Sequence, residues 1–405
     1  MRTNFVMTIL CSAAMIGLVG ATSCSDRREA QQPAAGCDSP GVTADEITIG
    51  LVTADTGAGS GALASARSGV DARLGLANDG GGVHGRKIVY RWRDDASSPN
   101  QNAQVVGDLL RSGSVFGLLS ITTALSGSLD TTSAQGVPVV GLAVADWARY
   151  PNLFAYAYNT SPQTLGRYIQ RGGGTKVGIL TTGSAVSVLQ SADRFRTAFE
   201  EIGLSTIDSI AFSSGADSPL HVARRLAEAG ADTLVGLTSP DDFAAVIAAA
   251  RETNLNLAVS ISLSGYSRDM LPRLGRALAG VTIPVYFRPF EAGGTAIDRY
   301  REAMIKYAPE TQPEQEFAMY GYIFADLLLR GLEGAGECPA RETFMTSLRK
   351  VRSFDAGGLV TPVDLTTNAL IPLDCYAFVR VNRTGTAFQV ARERLCADDT
   401  TGSTG

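Results

Sequence analysis

The sequence predicts an α/β protein of two lobes, each a parallel sheet flanked by helices, joined by hinge crossovers. Three observations predict it. From residue 45 onward, short apolar runs of strand length alternate with segments whose apolar residues recur at helical spacing. The alternation breaks at Tyr150–Pro162, an aromatic stretch with few helix-period apolar residues, and then resumes. The chain has 405 residues, 45% hydrophobic and 19% charged, a globular composition long enough for two domains. Repeated βα units imply parallel sheets covered by helices on both faces.

The first series begins with a strand, Ile47 to Thr53, and a helix, Ser60 to Ala77, with Ala, Leu and Val on one face. A second strand, Lys87 to Trp92, precedes a helix from Gln101 to Arg111 in which Val105, Val106, Leu109 and Leu110 share a face. Strands Val115 to Leu119 and Val137 to Leu142 follow, separated by a short helix around Leu129. After the break, strands are expected at Lys176 to Thr181, Ile207 to Phe212, Thr233 to Leu237, Leu257 to Ser262 and Val281 to Phe287. Helices are expected at Leu189 to Ile202, Pro219 to Ala229 and Asp241 to Thr253. Residues 292–350 read as mostly helical, with Tyr300, Tyr307, Phe317, Tyr320 and Phe324. Cys375 to Val390 reads as a β-hairpin turning at Thr384-Gly385.

The helix-to-strand join is the most specific local feature. Asn78-Asp79-Gly80-Gly81-Gly82-Val83-His84-Gly85-Arg86 is a Gly-rich turn, and Asp94-Asp95 closes the strand after it. Asn78 is expected to end its helix, because Asn tolerates a left-handed helix end best after Gly.

The N-terminus reads as an export signal over residues 1–23: Arg2, then an apolar run from Phe5 to Val19 too short for a comfortable membrane span. Ala21-Thr22-Ser23 stand directly before Cys24, and a small-residue site ending at Cys resembles a bacterial lipobox, in which the Cys is acylated. The bland alternative is an ordinary secretory signal with an incidental Cys. Residues 24–42 read as a flexible tether and 397–405 as a disordered tail. Export into an oxidising compartment leaves Cys37, Cys338, Cys375 and Cys396 to form disulfides. Four cysteines allow three pairings; we expect Cys338–Cys375 with Cys37–Cys396.

Net charge is −5 and the pI about 5.3, which gives no reason to expect nucleic acid as a partner. The chain has two histidines, no CxxC and no zinc-ligand spacing. Gly57-Ala58-Gly59-Ser60-Gly61 lacks the spacing that cradles a pyrophosphate, and neither a GxSxG elbow nor a Walker lysine loop occurs. No cofactor or metal is called for, and no catalytic constellation is evident.

In open α/β sheets ligands meet the carboxyl ends of strands and the N-termini of helices. That rule nominates Asp55 to Gly61, Ser120 to Thr123 and Ala143 to Asp146 in the first lobe. In the second it nominates Thr181 to Ser184, Thr238-Ser239 and Ser262 to Tyr266. Ser120, Thr122 and Thr123 offer hydroxyls and backbone N–H groups to a carboxylate; the alternative is that they only cap the next helix. Trp147, Tyr158 and Tyr266 are candidate apolar walls, or ordinary packing at a hinge. The candidate ligand-binding set is Asp55, Ser120, Thr122, Thr123, Ala143, Asp146, Tyr158, Ser184, Ser239, Ser264 and Tyr266.

The run Ile47-Thr48-Ile49-Gly50-Leu51-Val52-Thr53, the turn residues Asn78, Gly81, Gly82, Gly85, Arg86 and Ile88, and the Asp94-Asp95 pair followed by Pro99 resemble the extracytoplasmic solute-binding proteins of the Leu/Ile/Val-binding class, which feed ABC importers. Ala231 to Gly236, Ala250-Arg251 and Ala318-Met319-Tyr320-Gly321-Tyr322 extend the resemblance over roughly residues 43–395. It implies the type I periplasmic-binding-protein fold, with residues 43–157 and 288–355 as the first lobe and 158–287 and 356–396 as the second lobe and hinge. It implies a noncatalytic receptor that closes over a small-molecule solute and docks on an ABC permease, held to the outer face of the cytoplasmic membrane through the lipid anchor. A sensor that presents ligand state to a signalling partner is the alternative. Relatives that take amino acids carry an acidic residue in the loop corresponding to Ser262-Leu263-Ser264-Gly265-Tyr266, and aromatic cover near Val186 and Ser239. This chain has neither. Asp55 and Asp146 are candidate replacement charges, more often turn or cap residues. We therefore expect leucine, isoleucine and valine to bind weakly, and a less polar or carboxylate-only solute to bind better.

Overall fold

A computed structural model describes residues 37–57, 60–144, 146–157, 160–183, 186–367 and 372–399. The expected signal segment, Cys24, Tyr158, Ser184 and the last six residues lie outside them. Two sheets organise the rest. The first contains β1 (Glu46–Thr53), β2 (Lys87–Asp94), β3 (Leu118–Ile121), β4 (Val139–Gly141) and β5 (Leu153–Phe154), in the order β2-β1-β3-β4-β5 with every pairing parallel. Its helices are α1 (Ser60–Leu63), α2 (Ala66–Asp79), α3 (Pro99–Arg111) and α4 (Leu129–Ala134).

Next come α5 (Pro162–Arg171), β6 (Lys176–Thr182), α6 (Val186–Glu201), β7 (Ser205–Thr206), β8 (Ile210–Phe212), α7 (Pro219–Glu228), β9 (Thr233–Leu237), α8 (Pro240–Glu252), β10 (Val259–Ser262), α9 (Leu271–Leu274) and β11 (Thr282–Val285). The chain then returns to the first layer as α10 (Thr295–Tyr307), α11 (Glu316–Ala335) and α12 (Arg341–Leu348), with α10 and α11 packed on α2 and α11 also touching β3 and β4. It ends in β12 (Cys375–Val381) and β13 (Phe388–Cys396). The second sheet runs β13-β12-β11-β10-β9-β6-β7, with β8 also pairing β6. It is parallel except at β12, which is antiparallel to both its neighbours. The chain therefore crosses between the sheets after β5, after β11 and between α12 and β12. The expected α/β class is borne out, and so are the parallel sheets and the hairpin.

Local differences have physical causes. Asn78 does not leave the helix in a left-handed conformation; α2 continues to Asp79, and positive φ falls instead on Gly81, Gly82, His84 and Gly85. The Asn78 amide accepts from Ile88 N–H (2.8 Å) and donates to Ile88 C=O (2.9 Å), so it pins β2 to the end of α2. The single helix expected over Ser60 to Ala77 is two, bent at Ala64-Ser65. α5 starts at the end of the Tyr150–Pro162 break and fills a stretch to which the sequence pattern assigned no element; Pro162 at its first turn and Gly172 after its end are the helix signals that mark it. Leu165, Tyr168 and Ile169 are its buried face.

The disulfides are Cys37–Cys338 and Cys375–Cys396, not the expected Cys338–Cys375 and Cys37–Cys396. Antiparallel register sets the second, because β12 and β13 place Cys375 opposite Cys396. Arg86 sets the scene for the first. Its buried guanidinium donates to Thr43 C=O and Glu337 C=O (both 2.7 Å) and to Cys37 Sγ (3.4 Å). Within the stretch read as tether, Cys37 is thus bonded to the α11–α12 connection, and Val42 forms a bridge with Ile47.

Candidate functional site

The carboxyl ends of β1 and β2 are braced by the Asp pair. Asp94 accepts from Asp55 N–H (3.0 Å), Thr56 Oγ1 (2.6 Å) and Ala96 N–H (2.9 Å). Burial alone would raise its carboxyl, but these bonds, with a backbone bond from Thr56, hold it below the ordinary carboxylate range. Asp95 is fully buried and accepts from Asn102 Nδ2 (2.9 Å), whose Oδ1 accepts from Ser128 Oγ (2.6 Å). The pair is a scaffold for the loops, not a ligand group.

Ser120 sits in β3 between Val52 of β1 and Gly141 of β4. Its hydroxyl is buried and has no hydrogen-bond partner among the described residues. A buried hydroxyl without a partner costs stability, so the position invites a ligand group. Thr122 is also buried, but its hydroxyl accepts Ala124 N–H (3.0 Å) and shapes the turn. Thr123 is exposed and Ala143 half-buried against the first core. Asp55 is exposed and accepts from Thr53 Oγ1 (2.6 Å). Asp146 is an exposed turn residue at φ 66°, 3.8 Å from Arg149.

On the second sheet Ser239 caps α8, accepting from Asp242 N–H (3.1 Å). Ser264 donates to Thr238 C=O (2.9 Å). Tyr266 is no wall: it is buried, donates to Glu291 Oε2 (2.6 Å), accepts from Phe290 N–H (2.8 Å) and packs on Phe287, Phe290 and Phe388. Trp147 is likewise buried in the first core.

A cleft of about 820 Å³ opens between elements of the two layers. One wall is Gly61 and Ala62 of α1, with Ala64 and Ser65; the other is Pro240 and Asp241 at the start of α8 and the segment after β10, from Ser264 to Arg273. Glu310 to Gln312 and the start of α11, Gln315 to Phe317, complete it. Ser267 ties the layers there, bridging Gln315 and donating to its Oε1 (2.6 Å). Among the described residues of the expected set, Ser264 alone lines this cleft; Asp55, Ser120, Thr122, Thr123, Ala143, Asp146, Ser239 and Tyr266 do not.

Sequence reasoning missed Glu316. This acid opens the 20-residue helix α11, which is then uncharged from Phe317 to Ala325, and it lines the cleft. Loss of hydration pushes its carboxyl from 4.5 up to about 7, opposed only by a bond from the Tyr266 backbone N–H. The nearby Tyr156, Tyr266 and Tyr320 hydroxyls are raised well above the ordinary phenol value by burial, so they stay protonated donors. An acid just ahead of the Tyr-rich helix was the available signal.

A sequence model described as periplasmic binding protein matches residues 46–386. Leu/Ile/Val-binding protein homolog 3 of Brucella melitensis biotype 1 is 28% identical over 123 residues, 30% of this chain and 32% of that protein. The match spans about a third of that relative's length. Among solved structures, an ABC transporter substrate-binding protein of Aeropyrum pernix superposes with a TM-score of 0.73 at 17% identity, covering 88% of this chain and 97% of that one. A branched-chain amino acid ABC transporter protein of Thermus thermophilus with bound valine gives 0.72 at 19% identity, over 86% and 96%. A fatty acid ABC transporter substrate-binding protein of Thermomonospora curvata gives 0.71 at 19% identity, over 88% and 94%. At these identities the structural matches speak for the fold, and their different solutes show that one fold takes several ligand classes. With the family match extending from β1 into the terminal hairpin, the chain belongs to the periplasmic binding protein family.

Proposed function

We propose that the chain is an exported receptor that captures a small solute between its two lobes and hands it to an ABC permease, held at the outer face of the cytoplasmic membrane by a lipid on Cys24. The cleft carries this reading. It draws walls from both layers, and its size, about 820 Å³, falls within the roughly 300–1,000 Å³ typical of small-molecule sites. The three crossings between the sheets suit closure by hinge motion. Ser264 is the contact we favour, for its place on the wall; Ser120 keeps an unpartnered hydroxyl but does not line the cleft. Permease delivery is supported by the family, and the anchor by the small residues before Cys24. No helix among the described residues is long and apolar enough to cross a membrane.

A thermal-shift screen over amino acids, amines, amides, aromatic acids, fatty acids and short peptides, followed by calorimetry, tests the binding role, because a solute that binds only the folded state raises its stability. At least one class should raise the melting temperature in a saturable way. Cys24→Ala should move the protein from the membrane fraction to the soluble one; retention of the variant on membranes would remove the lipid anchor from the proposal.

A further inference from the structure

The cleft contains a carboxylate that no cation matches. Among the described residues no lysine or arginine pairs with Glu316, whereas the other acids around it are engaged: Asp241 with Arg273, Glu314 with Arg301 (3.0 Å) and Glu310 with Ser68 Oγ (3.4 Å). Asp269 is exposed at the rim. From the protein side Glu316 is faced by the neutral phenols of Tyr156, Tyr286 and Tyr320 and by the Tyr266 backbone N–H. Phe317, beside it on the cleft wall, packs on Tyr320 with ring centroids 5.2 Å apart.

We propose that Glu316, with the Phe317 ring beside it, forms a subsite for the ammonium group of an amine-bearing solute. The inference rests on the solute-receptor reading above. An ammonium supplies the counter-charge that the protein itself does not, and it is attracted to aromatic faces as well as to a carboxylate. An anionic solute group in the same place would meet like charge. The stretch from Ser262 to Tyr266 has no carboxylate, and this was the ground for expecting weak amino-acid binding; Glu316 reaches the same cleft from a helix of the other layer, so the ammonium need not go unpaired. Burial lifts the Glu316 carboxyl to about 7, so ammonium binding below that pH must displace a proton.

The test is calorimetry on the full exported chain with matched probes: leucine against 4-methylpentanoate, and phenylalanine against 3-phenylpropanoate. Each pair differs by the amino group alone. At pH 8 the amine-bearing member of at least one pair should bind tenfold or more tightly than its partner. At pH 5.5, about 1.5 pH units below the Glu316 value, that preference should fall roughly thirtyfold, or vanish where it was smaller, following one displaced proton. Glu316→Gln should abolish both the preference and its pH dependence, while Glu302→Gln, a change in an exposed acid outside the cleft, should leave them intact. Equal or tighter binding of the deaminated members at pH 8, or an unchanged preference in Glu316→Gln, overturns the subsite and leaves the receptor reading standing. If neither pair binds while the wider screen finds a neutral or anionic solute, the subsite is again overturned. If no solute of any class binds, the receptor reading falls and takes the subsite with it.

Discussion

Glu316 is a carboxyl that folding makes harder to ionise. In the unfolded chain it titrates near 4.5, and in the folded protein near 7, so the folded state holds the extra proton between those values. Stability contributed by that proton is complete below about pH 4.5 and is lost as pH rises through 7. Glu316→Gln should therefore be more stable than the parent protein at pH 8, by at most about 3 kcal/mol at 1.36 kcal/mol per pH unit. The difference should vanish near pH 4.5, as read from urea midpoints across the range. A constant difference at every pH would mean that the carboxyl titrates normally. The Asp pair shows the opposite logic: Asp94 gathers several hydrogen bonds that favour its charge, and it builds the loops instead of waiting for a ligand.

At the scale of elements, α2 and α11 meet backbone to backbone. A Cβ on Gly69 would lie 1.7 Å from Ala318 O, and one on Gly321 would lie 2.0 Å from Ala66 O. Gly69→Ala and Gly321→Ala should each force the helices apart and cost about 1–3 kcal/mol or more, the usual range for overpacking. Gly61→Ala, with open space at its Cβ, should cost little. Denaturant midpoints for the three variants decide this, and comparable losses at all three would deny the close crossing. The disulfides differ in reach: Cys37–Cys338 closes 301 residues and Cys375–Cys396 closes 21. A chain-entropy estimate makes the first worth about 5–6 kcal/mol and the second about 3, before any strain. Non-reducing peptide maps should show these two pairs, and Cys37→Ser should destabilise more than Cys396→Ser.

For the whole molecule, the proposed role requires the two sheets to approach when solute binds. Small-angle scattering should show a smaller radius of gyration in the presence of a ligand found by the screen. No change at saturation would argue for a receptor already closed, or for a site that does not span both layers.

Local pattern determined much of this protein. Alternating apolar runs and helix-period faces were enough for the α/β class, for two βα series and for the terminal hairpin, since each signal lies within ten or so neighbouring residues. The rule that ligands meet strand ends nominated Ser264, which lies on the cleft wall, for the same reason. Tertiary structure decided what depends on distant chain. Strand register brought Cys375 to Cys396, and a buried arginine with the α11–α12 connection brought Cys338 to Cys37. Tyr266 turned inward because Phe287 and Phe388 were there to bury it, and Trp147 because the first core closed over it. Glu316, hundreds of residues from Gly61 and Ala62, joins their cleft only once α11 has packed across α2. Its carboxyl then loses water it would keep in an isolated helix, and no spacing in the sequence records that desolvation.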